Sequence, residues 1–189
     1  MTPPTPTASS PKRTLSTAEE RREAVLEAGM SVFAERGFLG TPTTEVAKAA
    51  GISQAYLFRL FPTKTDLVVA VVRRSNERIY EAFAAASARA HAAGTEPIEA
   101  MANSYSELLQ DRTMLMTQIH QHAAAASMPE VAEASREWFA QLYALVASET
   151  GLDPEDIHRF FATGMLLNVM AAIGANDDHG TWAQTLRVC

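Results

Sequence analysis

Cysteine is almost absent from this chain, which holds a single one, Cys189, among 189 residues. One cysteine cannot form an intramolecular disulfide, and this excludes the small secreted folds that disulfides stabilise. A reducing compartment fits this composition, so we expect a cytoplasmic protein. The first residues also lack the apolar core of a signal peptide, and we therefore expect no secretion signal.

Long hydrophobic runs are missing as well. The longest apolar stretch without a charge is FFATGMLLNVMAAI, residues 160–173, which has 14 residues. A helix needs about 20 such residues to cross a bilayer, so we expect no membrane partner. Hydrophobic residues make up 47% of the chain and charged residues 20%, a balance typical of a folded protein with a sizeable core.

Strand patterns are absent too, because no segment alternates apolar and polar residues, and the one β-branched cluster, 68–72, lies in a helical pattern. Helix signals are frequent instead. Thr17 followed by Glu20 forms a capping box, and Thr63 or Thr65 can cap a long helix that Gly94 ends. Gly37 is typical of a helix end, and Asp153 before Pro154 is typical of a helix start. We predict an all-α fold of about eight helices, at 17–37, 44–50, 53–61, 65–92, 96–110, 112–127, 129–149 and 154–174.

The stretch GISQAYLFRLF, residues 51–61, combines three aromatic residues with one charged residue, Arg59. Residues 43–62 fit a helix-turn-helix unit in which Gly51 takes the positive φ of the turn. Leu57, Leu60 and Phe61 then face the core, and the rest of the second helix reaches the surface where a recognition helix meets base edges. The residues left outside are Gln54, Ala55, Tyr56, Phe58 and Arg59.

The side chains of this second helix have suitable chemistry for DNA. Gln54 can bond an adenine edge twice, and Arg59 can pair with a guanine or a phosphate. Tyr56 and Phe58 can contact a thymine methyl or the sugar-phosphate wall. The predicted phosphate ligands are Thr44 and Lys64, each at a helix start. From spacing alone, an ordinary three-helix packing unit with an exposed polar face is the alternative.

Charge is unevenly distributed in a way that suits this interpretation. Residues 1–64 contain eight Lys or Arg and six Glu, a net charge of +2. The remaining residues contain eight basic and 16 acidic side chains, a net charge of −8. Only the N-terminal part is therefore expected to bind nucleic acid.

The segment TPTTEVAKAAGISQAYLFRLFPTKTDLVVAVV, residues 41–72, resembles the DNA-binding domain of TetR-family transcriptional regulators, and the resemblance extends to EAVLEAGMSVFAERGF in the first helix. It implies three DNA-binding helices, a connecting helix, and a helical ligand-binding and dimerisation domain. It also implies operator contacts from Ser53, Gln54, Ala55, Tyr56, Phe58 and Arg59, and from the family's lysine at Lys64. The family usually has tyrosine at the position of Phe58, so one phosphate contact is lost or replaced.

The predicted organisation has four parts. We expect a disordered tail at 1–14, a helix-turn-helix DNA-binding domain at 15–64, a helical ligand-binding and dimerisation domain at 65–175, and a C-terminal tail at 176–189. The function that follows is a ligand-responsive regulator, most simply a repressor that binds a palindromic operator as a homodimer and is released by a small molecule. The alternatives are a helical interaction protein without DNA binding and a small enzyme.

The homodimer is expected to form through the last two long helices. The segment 157–173 is apolar on nearly every side, so one side needs a partner. The helix before it carries an apolar stripe close to a heptad. The predicted interface residues are Trp138, Leu142, Phe160, Gly164, Leu167 and Asn168.

The effector is predicted to enter a cavity between the long helix 65–92 and the helices 96–110 and 112–127. Methionines there can adapt to varied apolar ligands, although ordinary core packing explains any single one. A lone histidine such as His122 is more often a satisfied core residue. The predicted lining residues are Tyr80, Phe83, Met101, Tyr105, Leu109, Met114, Gln118, Ile119 and His122.

No enzymatic or metal site is expected. His120 and His122 are two positions apart on a helix and point in different directions, so they cannot share a metal ion. The polar loop DDHG, residues 177–180, lies near the end of the chain, and no phosphate-binding glycine loop or nucleophile elbow is present. We therefore predict no catalytic residues, no cofactor and no metal.

Overall fold

The computed structural model describes residues 12–187, apart from the side chains of residues 12–17, 176 and 187. All regular structure in that range is helical, as predicted. The helices are α1 (Lys12–Gly40), α2 (Thr43–Ala49), α3 (Gln54–Leu60), α4 (Lys64–Ala93), α5 (Pro97–Leu108), α6 (Arg112–Ala125), α7 (Pro129–Thr150), α8 (Pro154–Ala172) and α9 (Thr181–Arg187), with a 3-10 turn at Ala175–Asp177. None of the helices in the described range is long and apolar enough to cross a membrane.

Several helix boundaries confirm the predicted start and stop signals. Thr63 forms a full capping box with Asp66 at the start of α4, and Gly94 ends that helix in the left-handed region. The Asp153 side chain accepts hydrogen bonds from two backbone amides of α8. Gly37 interrupts α1 with a φ of 76°, where the predicted helix ends.

Other boundary predictions were wrong. Helix α1 begins at Lys12, so Thr17 is not its cap and residues 12–14 do not belong to a disordered tail; residues 1–11 lie outside the described range. Pro42, not Thr43, precedes the first residue of α2. The predicted C-terminal tail contains the 3-10 turn and α9, whose Ala183 is buried with Met170 of α8.

The N-terminal helices and the following helices share one apolar core. A continuous cluster of buried residues includes Phe33 of α1, Leu57 of α3, Val71 of α4 and Ile157 of α8. Gly29 allows α1 and α4 to approach closely, because a Cβ there would lie 2.8 Å from Cγ2 of Val71. The predicted boundary between the two domains therefore separates two predicted functions and not two separate hydrophobic cores, because the core is continuous across it.

Candidate nucleic-acid interface and effector cavity

Helix α3 is anchored from one side and open on the other. Leu57 and Phe61 are 1% and 2% exposed, and the Ser53 hydroxyl caps the helix by accepting a hydrogen bond from the Tyr56 amide at 3.2 Å. The turn before it needs Gly51, whose φ is 65°. We call the outward residues the recognition face: Ser53, Gln54, Ala55, Phe58 and Arg59 are exposed there, and Tyr56 is half-buried.

Tyr56 connects the recognition face to α1. Its ring lies 5.7 Å from the Arg59 guanidinium carbon and 5.8 Å from that of Arg21. Arg21 is exposed and belongs to the same surface, although sequence reasoning did not select it. Nothing in the local sequence could have done so, because the approach of α1 to α3 is a tertiary contact.

Gln54 and Thr44 also lie on this side of the molecule. Nε2 of Gln54 donates to Oγ1 of Thr43 at 3.2 Å, which orients the amide. One N–H and the carbonyl oxygen of Gln54 remain for a base, so the predicted two-bond contact with adenine is still possible. Thr44 is exposed at the start of α2.

Lys64 has a structural partner that the sequence did not indicate. Its Nζ donates to the carbonyl oxygen of Leu39 at 3.0 Å, and partial burial lowers the pKa of the amine from its usual value. The Asp66 carboxylate at the same helix end accepts from the Thr63 amide at 2.9 Å, and its negative charge opposes a phosphate there. Lys64 therefore joins α4 to the end of α1 and keeps two N–H donors for a phosphate.

An apolar cavity of about 60 Å³ lies between α4, α5, α7 and α8. Its walls are largely aromatic. The Phe83 ring packs edge-on against the ring of Tyr105, with centroids 5.9 Å apart, and against that of Phe160, with centroids 5.8 Å apart. Trp138 and Phe139 pack with centroids 4.5 Å apart. The aromatic lining residues are Phe83, Tyr105, Trp138, Phe139, Phe160 and Phe161.

A buried chain of two hydrogen bonds includes Tyr105, which lines this cavity. Nδ2 of Asn168 donates to the Tyr105 hydroxyl at 2.7 Å, which donates in turn to Oε1 of Gln118 at 2.9 Å. Burial raises the pKa of Tyr105 to about 12, although both hydrogen bonds act in the opposite direction. The hydroxyl is therefore neutral at physiological pH.

Comparison with known proteins identifies the N-terminal part. Residues 25–71 match the family model described as bacterial regulatory proteins, tetR family. The HTH-type transcriptional regulator RutR of Escherichia coli (strain K12) is 37% identical over 54 residues, which are 29% of this chain and 26% of RutR. The chain thus matches only about a quarter of that relative's length.

Two further similarities extend over most of the chain. The HTH-type transcriptional repressor KstR of Mycobacterium tuberculosis is 28% identical over 158 residues, covering 80% of this chain and 70% of KstR. The structure of a TetR-family member from Streptomyces coelicolor A3 superposes with a TM-score of 0.66 at 24% identity, covering 89% of this chain and 94% of that one. At that identity the structure supports the fold alone.

The N-terminal part of the chain is therefore similar to the DNA-binding domain of the TetR family. RutR and KstR, which this similarity brings to light, are named as HTH-type transcriptional regulators. The contacts of individual residues with DNA, effector and partner subunit remain predictions. The structure shows where each of these residues lies and how exposed it is.

The predicted effector residues do not line one common cavity. The space between α4, α5 and α6 is filled, since Met101, Met114 and Gln118 are 0%, 2% and 1% exposed. Of the predicted lining residues, Phe83 and Tyr105 line the aromatic cavity and Tyr80 lines a separate groove. The ones that line neither opening are Met101, Leu109, Met114, Gln118, Ile119 and His122. The methionine content of these helices did not indicate a cavity, because methionines also fill ordinary cores.

The two histidines of α6 point in different directions, as their spacing predicts. Nε2 of His120 lies 3.3 Å from the carbonyl oxygen of Ala34 in α1. The His122 ring lies 6.1 Å from that of Phe139, and burial lowers the pKa of His122. No group of three His, Cys, Asp or Glu in the described range could hold a metal ion.

The predicted subunit-interface residues lie on the inward-facing side of α7 and α8. Trp138, Leu142 and Asn168 are 7%, 4% and 1% exposed within the single chain, so a partner cannot cover them. Phe160, Gly164 and Leu167 line the cavity. We call the exposed apolar residues at this end of the chain the outer α8 stripe: Met165, Val169 and Ile173 follow each other at four-residue spacing and are 38%, 49% and 63% exposed. Met165 also lines the cavity.

Proposed function

We propose that this protein is a TetR-family repressor that binds a palindromic operator as a homodimer and releases it when a small, largely apolar molecule enters the aromatic cavity. The observation that carries the proposal is that one helix, α4, joins the two sites. It begins at Lys64 beside the recognition helix and contributes Phe83 to the cavity wall.

The DNA-binding part of the proposal depends on the recognition face. Leu57 and Phe61 hold α3 to the core, so Gln54 and Arg59 are presented outward from a rigid support. In a helix-turn-helix protein this face enters the major groove. We assign base contacts to Gln54 and Arg59, contacts with the groove wall to Ser53, Ala55, Tyr56 and Phe58, and phosphate contacts to Thr44 and Lys64.

The dimer part of the proposal depends on the outer α8 stripe. Three exposed apolar residues at four-residue spacing form a surface that water solvates poorly. A second copy packing the same stripe against it would bury both surfaces in a two-fold arrangement. Two recognition helices related by that axis would match a palindromic operator.

Tight connections between α4 and α1 support the release mechanism. Arg74 donates to Glu23 at 2.5 Å, and Arg78 pairs with Glu27, so two ion pairs fasten the helices. The aromatic cavity is small beside ordinary ligand pockets of roughly 300–1,000 Å³. An effector must therefore enlarge it, and movement of Phe83 with α4 would change the spacing of the recognition helices.

Energetically, the effector must prefer the enlarged state. A ligand that bound both states equally would shift nothing, however tight its binding. Linkage then requires operator DNA to weaken effector binding by the factor by which the effector weakens operator binding.

The decisive experiment is selection of bound genomic DNA fragments, followed by fluorescence anisotropy on the selected operator. Arg59→Ala and Gln54→Ala should each weaken binding by about 1–3 kcal/mol and relax base preference. Arg159→Ala, which removes an equal charge from an exposed residue of α8, is the matched control and should leave affinity unchanged. Unaltered operator affinity in both recognition-face variants would contradict the proposed interface. Repression is then tested with a reporter gene, whose expression should rise when the protein is removed.

A further inference from the structure

The wall of the aromatic cavity is thinner along α8 than elsewhere. Phe83 of α4, Tyr105 of α5 and Leu142 of α7 line the cavity and are buried, with 2%, 8% and 4% exposure. On α8, Gly164 is only half-buried, and Met165 is 38% exposed. Met165 is the one fully exposed residue among those that line the cavity. The cavity therefore comes closest to solvent at this side chain.

Met165 belongs to two surfaces at once. It lines the cavity, and it is also the first residue of the outer α8 stripe. Val169 and Ile173 continue the stripe at four-residue spacing, and neither of them lines the cavity. A molecule that covers the stripe must therefore also cover the exposed margin of the cavity.

Charge favours a second copy of the chain as that molecule. Residues 65–189 contain eight basic and 16 acidic side chains, a net charge of −8, so two copies repel each other over most of this part. The segment 160–173 contains no charged residue. Two copies can therefore pack this segment against itself without opposing like charges, and both gain from burying apolar surface.

We propose that the second copy completes the aromatic cavity by packing against Met165, so that an apolar effector binds the dimer more tightly than the monomer. This inference rests on the proposed function, which supplies both the dimer and the effector. Apolar binding strengthens with the surface removed from water, and in a single chain the part of the effector beside Met165 keeps contact with solvent. The flexible thioether of Met165 can adapt its shape to the effector and to the partner together.

Effector binding and dimerisation are then linked. Burial of one further methyl group of the ligand strengthens its binding by about fourfold. Each dimer has two cavities, so saturating ligand should lower the dimer dissociation constant by the square of that factor, about 16-fold. The operator is consequently released by an intact and more stable dimer, and not by separation of the subunits.

The first test compares toluene binding by a dimer and by a monomer, using the full chain without DNA. Val169→Glu should be monomeric and keeps every residue that lines the cavity, so calorimetry should show about fourfold weaker toluene binding than in the wild type. Ala85→Glu adds the same charge at an exposed position of α4 and should bind toluene as the wild type does. Equal affinity in monomeric Val169→Glu and the dimeric wild type would overturn the inference, while the dimer and the cavity would both stand.

The second test measures the reverse effect. Sedimentation equilibrium with and without saturating toluene should show the wild-type dimer dissociation constant fall by about 16-fold. Gly164→Leu, whose side chain fills the cavity, should show no change on adding toluene. A wild-type dimer that toluene leaves unaltered or weakens contradicts the inference.

The third test needs no substitution. In mixed dimers, one copy carries ¹³C-methyl methionine in a deuterated background and the other is protonated and unlabelled. The Met165 methyl should show nuclear Overhauser effects to protons of the unlabelled copy, and their absence in a dimer that sedimentation has confirmed would rule out the shared wall. A monomeric wild type would refute the proposed dimer and this inference together, and a dimer that does not bind toluene would refute the cavity as effector site and the inference with it.

Discussion

The guanidinium carbon of Arg22 lies 4.2 Å from the centroid of the Phe61 ring, at the end of the recognition helix. Nη1 of Arg22 also donates to the Leu60 carbonyl oxygen at 3.0 Å, a group that the helix itself leaves unpaired. Arg22 of α1 thus fixes the end of α3 through both a stacking contact and a hydrogen bond.

Arg22→Ala should lower the free energy of unfolding by roughly 1 kcal/mol, because it removes one cation–π contact and one hydrogen bond. Arg22→Lys keeps the charge but cannot reproduce the planar stack, so it should recover only part of the loss. Urea denaturation measures both variants. Full recovery by lysine would indicate that charge alone, and not the stack on Phe61, provides the stabilisation.

Arg21 is expected to contact phosphate, because it lies beside Tyr56 on the side of the recognition face. Arg21→Ala should weaken binding to all DNA sequences alike and reduce the slope of log affinity against log salt by about 1. Arg89→Ala changes an exposed arginine late in α4 and is the charge-matched control. A change in base preference in Arg21→Ala would instead assign the residue to direct readout.

Val169→Glu should separate the proposed dimer into monomers, because it places a carboxylate in the middle of the outer α8 stripe. Sedimentation velocity at micromolar concentration gives the oligomeric state. Ala85→Glu adds the same charge at an exposed position of α4 and should leave the dimer intact. A wild-type protein that sediments as a monomer would refute the interface altogether.

Gly164 offers a test of the aromatic cavity that leaves the DNA-binding helices untouched. A Cβ at this position would lie 3.5 Å from Cε1 of Tyr105, an ordinary contact, so Gly164→Ala should be tolerated and stabilise α8 by up to about 1 kcal/mol. Gly164→Leu should fill the cavity. Toluene as a probe should then raise the melting temperature of the wild type and Gly164→Ala but not of Gly164→Leu.

Operator affinity should be unchanged in Gly164→Ala. Gly164→Leu should weaken it, because a side chain that occupies the cavity acts on α4 as the proposed effector does. If toluene stabilised Gly164→Leu as much as the wild type, the bound molecule would occupy a different place.

Tyr105 should make stability depend on pH in the alkaline range. Its folded pKa of about 12 lies above the usual tyrosine pKa of 10.0, so the unfolded chain loses the hydroxyl proton first. The stabilisation is fully present below pH 10 and is lost as pH rises from 10 towards 12, by roughly 2–3 kcal/mol in total.

Urea unfolding at several pH values, compared with Tyr105→Phe, isolates this contribution from those of other tyrosines and lysines. The variant should be less stable at pH 8, because Asn168 and Gln118 lose their partner, and its stability should fall less steeply above pH 10. Parallel pH profiles for the two proteins would contradict the raised pKa.

The sequence by itself determined the local structure and the DNA-binding unit. Start and stop signals act within a few residues, so Thr63 with Asp66, Gly94 and Asp153 set helix ends that pattern alone could identify. The glycine at position 51 identified the turn. Helical spacing separated the buried Leu57 and Phe61 from the exposed Phe58 and Arg59. Helix α9, Thr181–Arg187, was not predicted.

Only the tertiary structure decided which side of each long helix faces inward. Helix α8 is apolar nearly all round, and its sequence could not indicate that Asn168 turns towards Tyr105 while Val169 turns outward. The position of the cavity and the approach of Arg21 to Tyr56 likewise arise where separate helices meet. Hydrophobic periodicity measures the burial of a face and carries no information about which partner covers it.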